Sequence, residues 1–377
     1  MKQGWITKTL GETCEIYQPK TITGKDLIEN GPYPVFGANG IIGRYDKYNH
    51  EEPQLLITCR GATCGTVNVS EPYSWITGNA MVVRPKDGSI DLKFLEYVFR
   101  GGMEIHKAIT GAAQPQITRA NLSPLTISYP TSLPEQRRIV DLLSRAEGIV
   151  RLRREAEKKA AELIPALFLD MFGDPGRNPK GWPSKPLDAV LAETKLGLVR
   201  GAKETADDKP FPYLRMDAVG GGYVRTTGLK RVDATSTEIA DYSLRYGDFL
   251  FNTRNSKELV GKTGMFIGAS EPVVLFNNNL MRMRFDQQIL VPEYVNALFQ
   301  TKHMQNQLDS IKRGTTSVFA IYYKDLRHLQ LTTPSLDMQA DFARHVSLVQ
   351  SIQGQNAMAT LKAKATFDAL LAQAFTA

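Results

Sequence analysis

Gly261-Lys262-Thr263 is the tripeptide that ends a phosphate-binding loop, where glycine amides and a lysine cradle a nucleotide's phosphates. The pattern GxxxxGK[ST] needs glycine five positions before Gly261, and Ser256 stands there, so a nucleotide site is not expected. The glycines of Phe36-Gly37-Ala38-Asn39-Gly40 do not spell the GxGxxG that opens a dinucleotide-binding helix. Asn178-Pro179-Lys180 is not the Asn-Pro-Pro-aromatic signature of amino methyltransferases. Cys59 and Cys64 could pair as metal ligands, but no second Cys/His pair follows at suitable spacing, and His50, His106, His303, His328 and His345 are not spaced as ligands. A catalytic residue set and a metal are therefore not expected. Cys14, Cys59 and Cys64, odd in number, argue against a disulfide framework.

What the chain does offer is cations and amides in turns. Reading DNA takes cations for phosphates and forked or amide side chains for base edges. In the first half, Gly37 to Gly40 holds Asn39, the run Arg44-Tyr45-Asp46-Lys47-Tyr48 holds Arg44 and Lys47, and Arg60-Gly61-Ala62-Thr63 begins with Arg60. Asn79 opens an apolar run, and Gly111 to Gln116 holds Gln114 and Gln116. In the second half the corresponding places are Arg254, Asn255 and Lys257; Asn278 and Asn279; and Arg313, Thr315, Thr316 and Ser317. These are the candidate DNA contacts. The net charge of +7 and pI near 9.1 suit a polyanion. Residues 174–333 carry 22 Lys+Arg against 17 Asp+Glu, a surplus of five, whereas 1–131 carry 13 against 12.

The two halves correspond through an internal repeat at about 200 residues. Ser70-Glu71-Pro72 returns as Ser270-Glu271-Pro272, and Asn79 to Arg84 as Asn279 to Arg284. Phe94 to Phe99 answers to Tyr294 to Phe299, and Leu55 to Gly61 to Phe249 to Asn255, each an apolar strand-like run ending at an arginine. Ile117 to Pro130 parallels Ile321 to Pro334, and five such matches in one order predict two α+β domains of common design.

Two helices follow the two domains. After Pro134 and Glu135, which suit a first helical turn, Ile139, Leu142, Ala146, Ile149, Ala156, Ala160, Leu163 and Leu167 alternate steps of three and four. Phe342, Val346, Val349, Ile352, Ala359, Ala363, Phe367, Leu370 and Ala374 do likewise. Each helix would be roughly 55 to 60 Å long at about 1.5 Å per residue, and two such seams predict an antiparallel coiled coil. Pro165 should kink or break the first helix near residues 161–164. Residues 132–173 hold 15 charged side chains and 334–377 only 6, so more of the later helix is expected to be covered by protein. The expected contact residues of this coiled coil and of docked subunits are Ile139, Leu142, Ile149, Leu163, Leu167, Phe342, Val349, Ile352, Phe367 and Leu370. Turn formers from Gly173 to Pro183 mark the boundary, and Trp182 opens the second domain as Trp5 opens the first. The division is 1–131, 132–173, 174–333 and 334–377. No apolar run suits a membrane span or secretory signal, so a cytoplasmic protein is expected.

The order of these features resembles the specificity subunit of type I restriction–modification enzymes over the whole chain. The resemblance is carried by Trp5 with Leu10-Gly11-Glu12, by Gly111 to Gln116 running into Ile117 and Leu122, by Ser132-Leu133-Pro134-Glu135-Gln136-Arg137-Arg138-Ile139, and by Leu167 to Pro175. It departs where Leu336-Asp337-Met338-Gln339 replaces a second Pro-Glu-Gln. The resemblance implies two target-recognition domains, each reading one half of a bipartite, asymmetric double-stranded DNA site, joined by helices that set the spacing, near one DNA turn of about 34 Å. It implies docking of two modification (methyltransferase) subunits that bring S-adenosylmethionine, and restriction subunits that use ATP and Mg. It implies no cofactor, no metal and no catalysis in this chain. An enzyme of unfamiliar site and a protein-binding scaffold are the alternatives, separated by turnover of the pure chain and by the salt dependence of DNA binding.

Overall fold

The computed structural model describes residues 3–37, 39–111, 113–314 and 317–375. The chain divides into two compact units, one of residues 1–155 with 357–377, the other of 156–356. Residues 1–131 fall in the first unit and 174–333 in the second, while each long helix contributes to both.

In the first unit, the central strand Leu55–Thr58 is buried at every position, as its uninterrupted apolar run requires of a strand covered on both faces. Leu55 and Ile57 join one core with Phe94, Leu95 and Val98 of helix Leu92–Gly101, and Leu56 joins a second with Phe36, Ile76 and Val82. The sheet runs Cys14–Tyr17, Ala80–Pro85, Leu55–Thr58, Val67–Val69, all antiparallel. A smaller sheet places Tyr33–Gly37 between Gly40–Tyr45 and, in parallel, Trp75–Ile76. Strand Trp5–Thr9 pairs with Thr126–Pro130.

The second unit repeats this plan. Its sheet runs Leu191–Leu196, Leu280–Phe285, Phe249–Asn252, Thr263–Met265. Leu55 faces Val83 and Thr58 faces Ala80 in the first unit; Phe249 faces Met283 and Asn252 faces Leu280 in the second, so the register is the same. The parallel pair Val35–Trp75 has its counterpart in Tyr213–Leu275. Ser184–Pro186 pairs with Gln330–Thr332 directly after Trp182. Helix Pro292–Gln300 buries Tyr294, Val295, Leu298 and Phe299, matching Phe94, Leu95, Val98 and Phe99. The sequence repeat is thus a repeat of topology and register.

Helix Leu133–Ala161 ends one residue before Glu162, and helix Leu163–Phe172 follows. The break falls where proline removes the amide donor and crowds the carbonyl four residues back. Helix Leu336–Phe375 runs unbroken for 40 residues. In the second unit Gln353 Nε2 donates to Ala160 O at 2.7 Å, and Phe168 and Phe172 pack on Phe342 with centroids 5.8 and 5.4 Å apart. One helix ascends as the other descends, so the pair is antiparallel there.

The seam differs in detail from the expectation. Ile139, Phe342 and Phe367 are buried, and Leu167, Val349 and Leu370 are half-buried. Leu142, Ile149, Leu163 and Ile352 are instead 46, 52, 47 and 42 % exposed, and Leu143, Val150 and Leu371, off the expected line, lie inside with Val346. Adjacent apolar pairs such as Leu142-Leu143 fit either of two faces about 100° apart, and packing against the sheet-bearing body selects the second. Leu348, Met358 and Leu361 of the later helix are also exposed, so its low charge does not reflect complete burial within the chain. Among the described residues no helix is long and apolar enough to cross a membrane.

Candidate nucleic-acid interface

The central strand of each unit ends on a buried polar residue, Thr58 or Asn252, and then releases an arginine. In the first unit Cys59 N donates to Asn79 O at 3.4 Å and Ile117 N to Cys59 O at 2.9 Å. Gly61 N donates to Pro115 O at 3.0 Å, and Arg60 bridges to Gln116. The loops of Arg60, Asn79 and Gln114-Pro115-Gln116 are thereby stapled together. Asn39 ties the small sheet to the same place, donating from Nδ2 to Thr63 Oγ1 at 2.7 Å and accepting at Oδ1 from Thr58 Oγ1 at 2.8 Å. Asn39, Arg60, Asn79, Gln114 and Gln116 are all exposed. Gly111 shapes this surface: its φ is +88°, and a Cβ there would sit 2.5 Å from Gln114 O.

Arg44 and Lys47 do not join this cluster. Arg44 donates from Nε to Gly31 O at 2.5 Å and from Nη2 to Pro32 O at 2.6 Å, so its guanidinium is committed to its own hairpin. Lys47 lies beyond the open end of that hairpin, about 16 Å along the strand from the Asn39 turn. Sequence spacing placed both in a polar turn without showing which end of the hairpin they occupy.

The second unit builds the same staple from longer pieces. Thr253 donates from N and Oγ1 to Asn279 O, each at 2.9 Å, and Ile321 N donates to Thr253 O at 3.0 Å. Arg254–Asn255 pairs with Phe319–Ala320, which pairs with Arg313–Gly314. Lys312 Nζ donates to Lys257 O at 2.8 Å. Arg254, Asn255, Lys257, Asn279, Arg313 and Ser317 are therefore near one another. Asn278 adjoins them, half-buried, with its N donating to Leu198 O. Thr315 and Thr316, with Ala38 and Ala112 of the other turns, lie outside the described residues.

Charge distinguishes these residues further. Arg313 is forked onto Asp325 at 2.8 and 2.6 Å, so its charge is already paired. Arg200, Arg225, Arg231, Arg282, Arg284 and Arg327 are likewise paired with carboxylates. Arg60 and Arg254 have no ion pair among the described residues. These two exposed arginines, at the same strand end in each unit, are free to meet a phosphate or a guanine edge.

Sequence reasoning missed two residues here. Lys262, considered only as part of a failed phosphate loop, is exposed and closes the Arg254 loop, its carbonyl accepting from Asn252 N at 2.9 Å. Asn277 is buried; its Nδ2 donates to the Tyr213 hydroxyl and its Oδ1 accepts from Asn279 N, both at 2.8 Å, so it shapes the asparagine turn from beneath. The triple-asparagine run was the available signal for the second. Burial pushes the Cys59 and Cys64 thiols up, away from the thiolate form that binds metal. No group of three His, Cys, Asp or Glu among the described residues could hold a metal ion.

Comparison with known proteins places these features in context. Residues 2–162 match the model of the type I restriction modification DNA specificity domain. The chain is 25% identical over 193 residues to the type I restriction enzyme EcoKI specificity subunit of Escherichia coli strain K12, across 50% of this chain and 41% of that protein. It is 29% identical over 174 residues to the EcoprrI specificity subunit of Escherichia coli, across 43% and 42%. The matched stretch thus spans about two fifths of each relative. In structure it resembles the S subunit of a type I restriction-modification system from M. genitalium, with a TM-score of 0.58 at 16% identity, covering 99% of this chain and 96% of that one. It also resembles a chain solved in a study of complex assembly and conformational transition of the type I R-M system, with a TM-score of 0.61 at 17% identity over 100% and 98%. At these identities the structural likenesses establish the fold.

Proposed function

We propose, on the premise that residues 2–162 belong to the type I restriction modification DNA specificity domain family, that this chain is the DNA sequence-specificity subunit of a type I restriction–modification system. The observation that carries the reading is the duplicated staple: two units of one topology each present an unpaired arginine, Arg60 or Arg254, beside an asparagine at the same end of the central strand.

Each unit reads one half of a bipartite double-stranded site. Arg60 and Arg254 supply forks that suit guanine O6 and N7, the amides of Gln114, Gln116, Asn79 and Asn279 suit adenine N6 and N7, and Lys257 and Lys262 serve phosphates. The long helices set the spacer and dock two modification subunits. Ile149 and Ile352, 203 residues apart in sequence and both exposed, are matching apolar anchors for two copies of one partner. The modification subunits bring S-adenosylmethionine, and restriction subunits add ATP- and Mg-dependent activity. This chain contributes recognition, holds no cofactor, and works in the cytoplasm.

Reconstitution tests the reading. The chain mixed with its modification subunits and S-adenosylmethionine is expected to transfer methyl groups to DNA site-specifically, and the chain alone to transfer none. Binding to DNA should weaken with salt at a slope of roughly −0.9 in log–log form per phosphate neutralised. Turnover by the pure chain, or salt-independent binding, contradicts it.

A further inference from the structure

A cavity of about 740 Å³ lies within the second unit, bounded by helices Leu163–Phe172, Pro292–Gln300 and Lys302–Ser310 and by part of helix Leu336–Phe375. Ile164, Phe168, Ala297 and Val346 form apolar walls, and Asn296 and Gln350 add amides. This volume suits a small organic ligand.

The first unit shows what the same place holds when it is filled. The alignment that carries Phe94 to Tyr294 and Phe99 to Phe299 carries Tyr97 to Ala297 and Arg100 to Gln300. In the long helices the offset is 203 residues, from Leu133 and Leu336 to Phe172 and Phe375, which carries Glu147 to Gln350 and Ile164 to Phe367. In the first unit the Tyr97 ring is fully buried, 6.5 Å from the Phe367 ring. Its hydroxyl donates to Glu147 at 2.9 Å and lies 3.1 Å from Ser144 Oγ. Arg100 covers both rings and is held by Glu96 and Glu147. In the second unit a phenol ring, a guanidinium and a larger apolar side chain are replaced by Ala297, Gln300 and Ile164, and the packing stays open.

Its polar groups select the kind of ligand. Asn296 Nδ2 donates to Gly222 O at 3.0 Å, which fixes the amide's orientation and leaves Oδ1 buried with no partner among the described residues. That oxygen has no surface open to the cavity, so the amide on offer to a ligand is that of Gln350, at the position where Glu147 accepts from Tyr97 in the first unit. The Glu96–Arg100–Glu147 charges are replaced by the neutral Asn296, Gln300 and Gln350, while Glu293 is engaged by the Tyr246 hydroxyl and His303 by Gln307, and the other charged lining residues, Asp174 and Lys302, are exposed to solvent. We propose that this cavity binds a small neutral phenol, its ring lying where Tyr97 lies in the first unit and its hydroxyl bonding to the Gln350 amide that stands for Glu147. The site is independent of the DNA-reading surface, so it stands or falls apart from that assignment.

The test uses the full chain and p-cresol, the tyrosine side chain as a free molecule, in calorimetric titration and thermal unfolding. Wild type is expected to bind one equivalent saturably and to gain several degrees in Tm. Ala297→Tyr should weaken binding at least tenfold and raise the Tm of the unliganded chain; should that variant not fold, Ile164→Phe takes its place. Tyr97→Ala should add a second equivalent by opening the first unit's site. No saturable binding to wild type, or undiminished binding to the folded cavity-filling variant, overturns the proposal.

Discussion

Gln136 and Gln339 make the same three hydrogen bonds, each in its own unit. Gln136 Nε2 donates to Ser89 O and Pro130 O at 2.8 and 2.9 Å, and its Oε1 accepts from Asp91 N at 2.8 Å. Gln339 Nε2 donates to Ile289 O and Pro334 O at 3.0 and 2.8 Å, and its Oε1 accepts from Val291 N at 2.8 Å. Both side chains are 0% exposed. One glutamine thus fastens the start of each long helix to the segment that opens the helix beneath the sheet.

Removing either amide strands buried backbone groups. Gln136→Leu and Gln339→Leu are each expected to destabilise their unit by about 2 to 4 kcal/mol, measured by urea unfolding. Wild-type stability in either variant would show that the amide is dispensable.

Arg44 and Arg60 should separate by phenotype. Arg44 holds the carbonyls of Gly31 and Pro32, as Arg231 holds those of Lys209 and Pro210. Arg44→Ala should lower stability by about 1 kcal/mol, because the group is exposed, and leave base preference intact. A changed recognition sequence at unchanged stability would return Arg44 to the reading surface.

Arg254→Ala should cost about 1 to 3 kcal/mol of DNA affinity at one base position and relax that position. Competition binding with single-base variants of the site measures it. Equal weakening on every sequence would make Arg254 a phosphate contact.

Arg282 is 3% exposed in its side chain and depends on Glu193, which it shares with Arg284. Burial pushes the Glu193 carboxyl up, but hydrogen bonds from the two guanidinium groups outweigh it and hold the group below the ordinary carboxylate range. The folded chain therefore binds this proton less readily than the unfolded chain. The resulting stability is present above a pH of about 4.3 and lost as pH falls through the lower folded value. Glu193→Gln should cost about 2 to 3 kcal/mol near neutrality, less than for a fully buried pair because Glu193 is 40% exposed. It should also flatten the acid limb of the stability profile, and an unchanged limb would exclude Glu193 as its source.

The repeat was legible because uninterrupted apolar strand runs and the Phe94/Tyr294 helix face are local signals, and their order survives insertions. The break at Glu162 was legible because proline acts on its own turn. The helix seam was only partly so: Leu142 and Leu143 are both apolar, and only the body packed beside them decides which turns inward. The reading surface was legible as a set of loops, but Arg44 and Arg313 could not be separated from Arg60 and Arg254 until the carbonyls and Asp325 that engage them were known. The cavity was invisible, since Ala297 acquires meaning only when Tyr97 is seen filling its counterpart.

Ile149→Asp and Ile352→Asp should leave the fold intact, since both side chains are exposed, and each should reduce by one the number of modification subunits bound. Sedimentation of the assembled complex reads this, and full occupancy in both variants would remove these residues from the docking surface.

Base-resolution mapping of adenine methylation, in cells that make the chain with its modification subunits, tests two-part reading most directly. The wild type is expected to give one interrupted motif, with Arg60→Ala relaxing one part and Arg254→Ala the other. An uninterrupted motif, or one that neither substitution alters, would contradict the account.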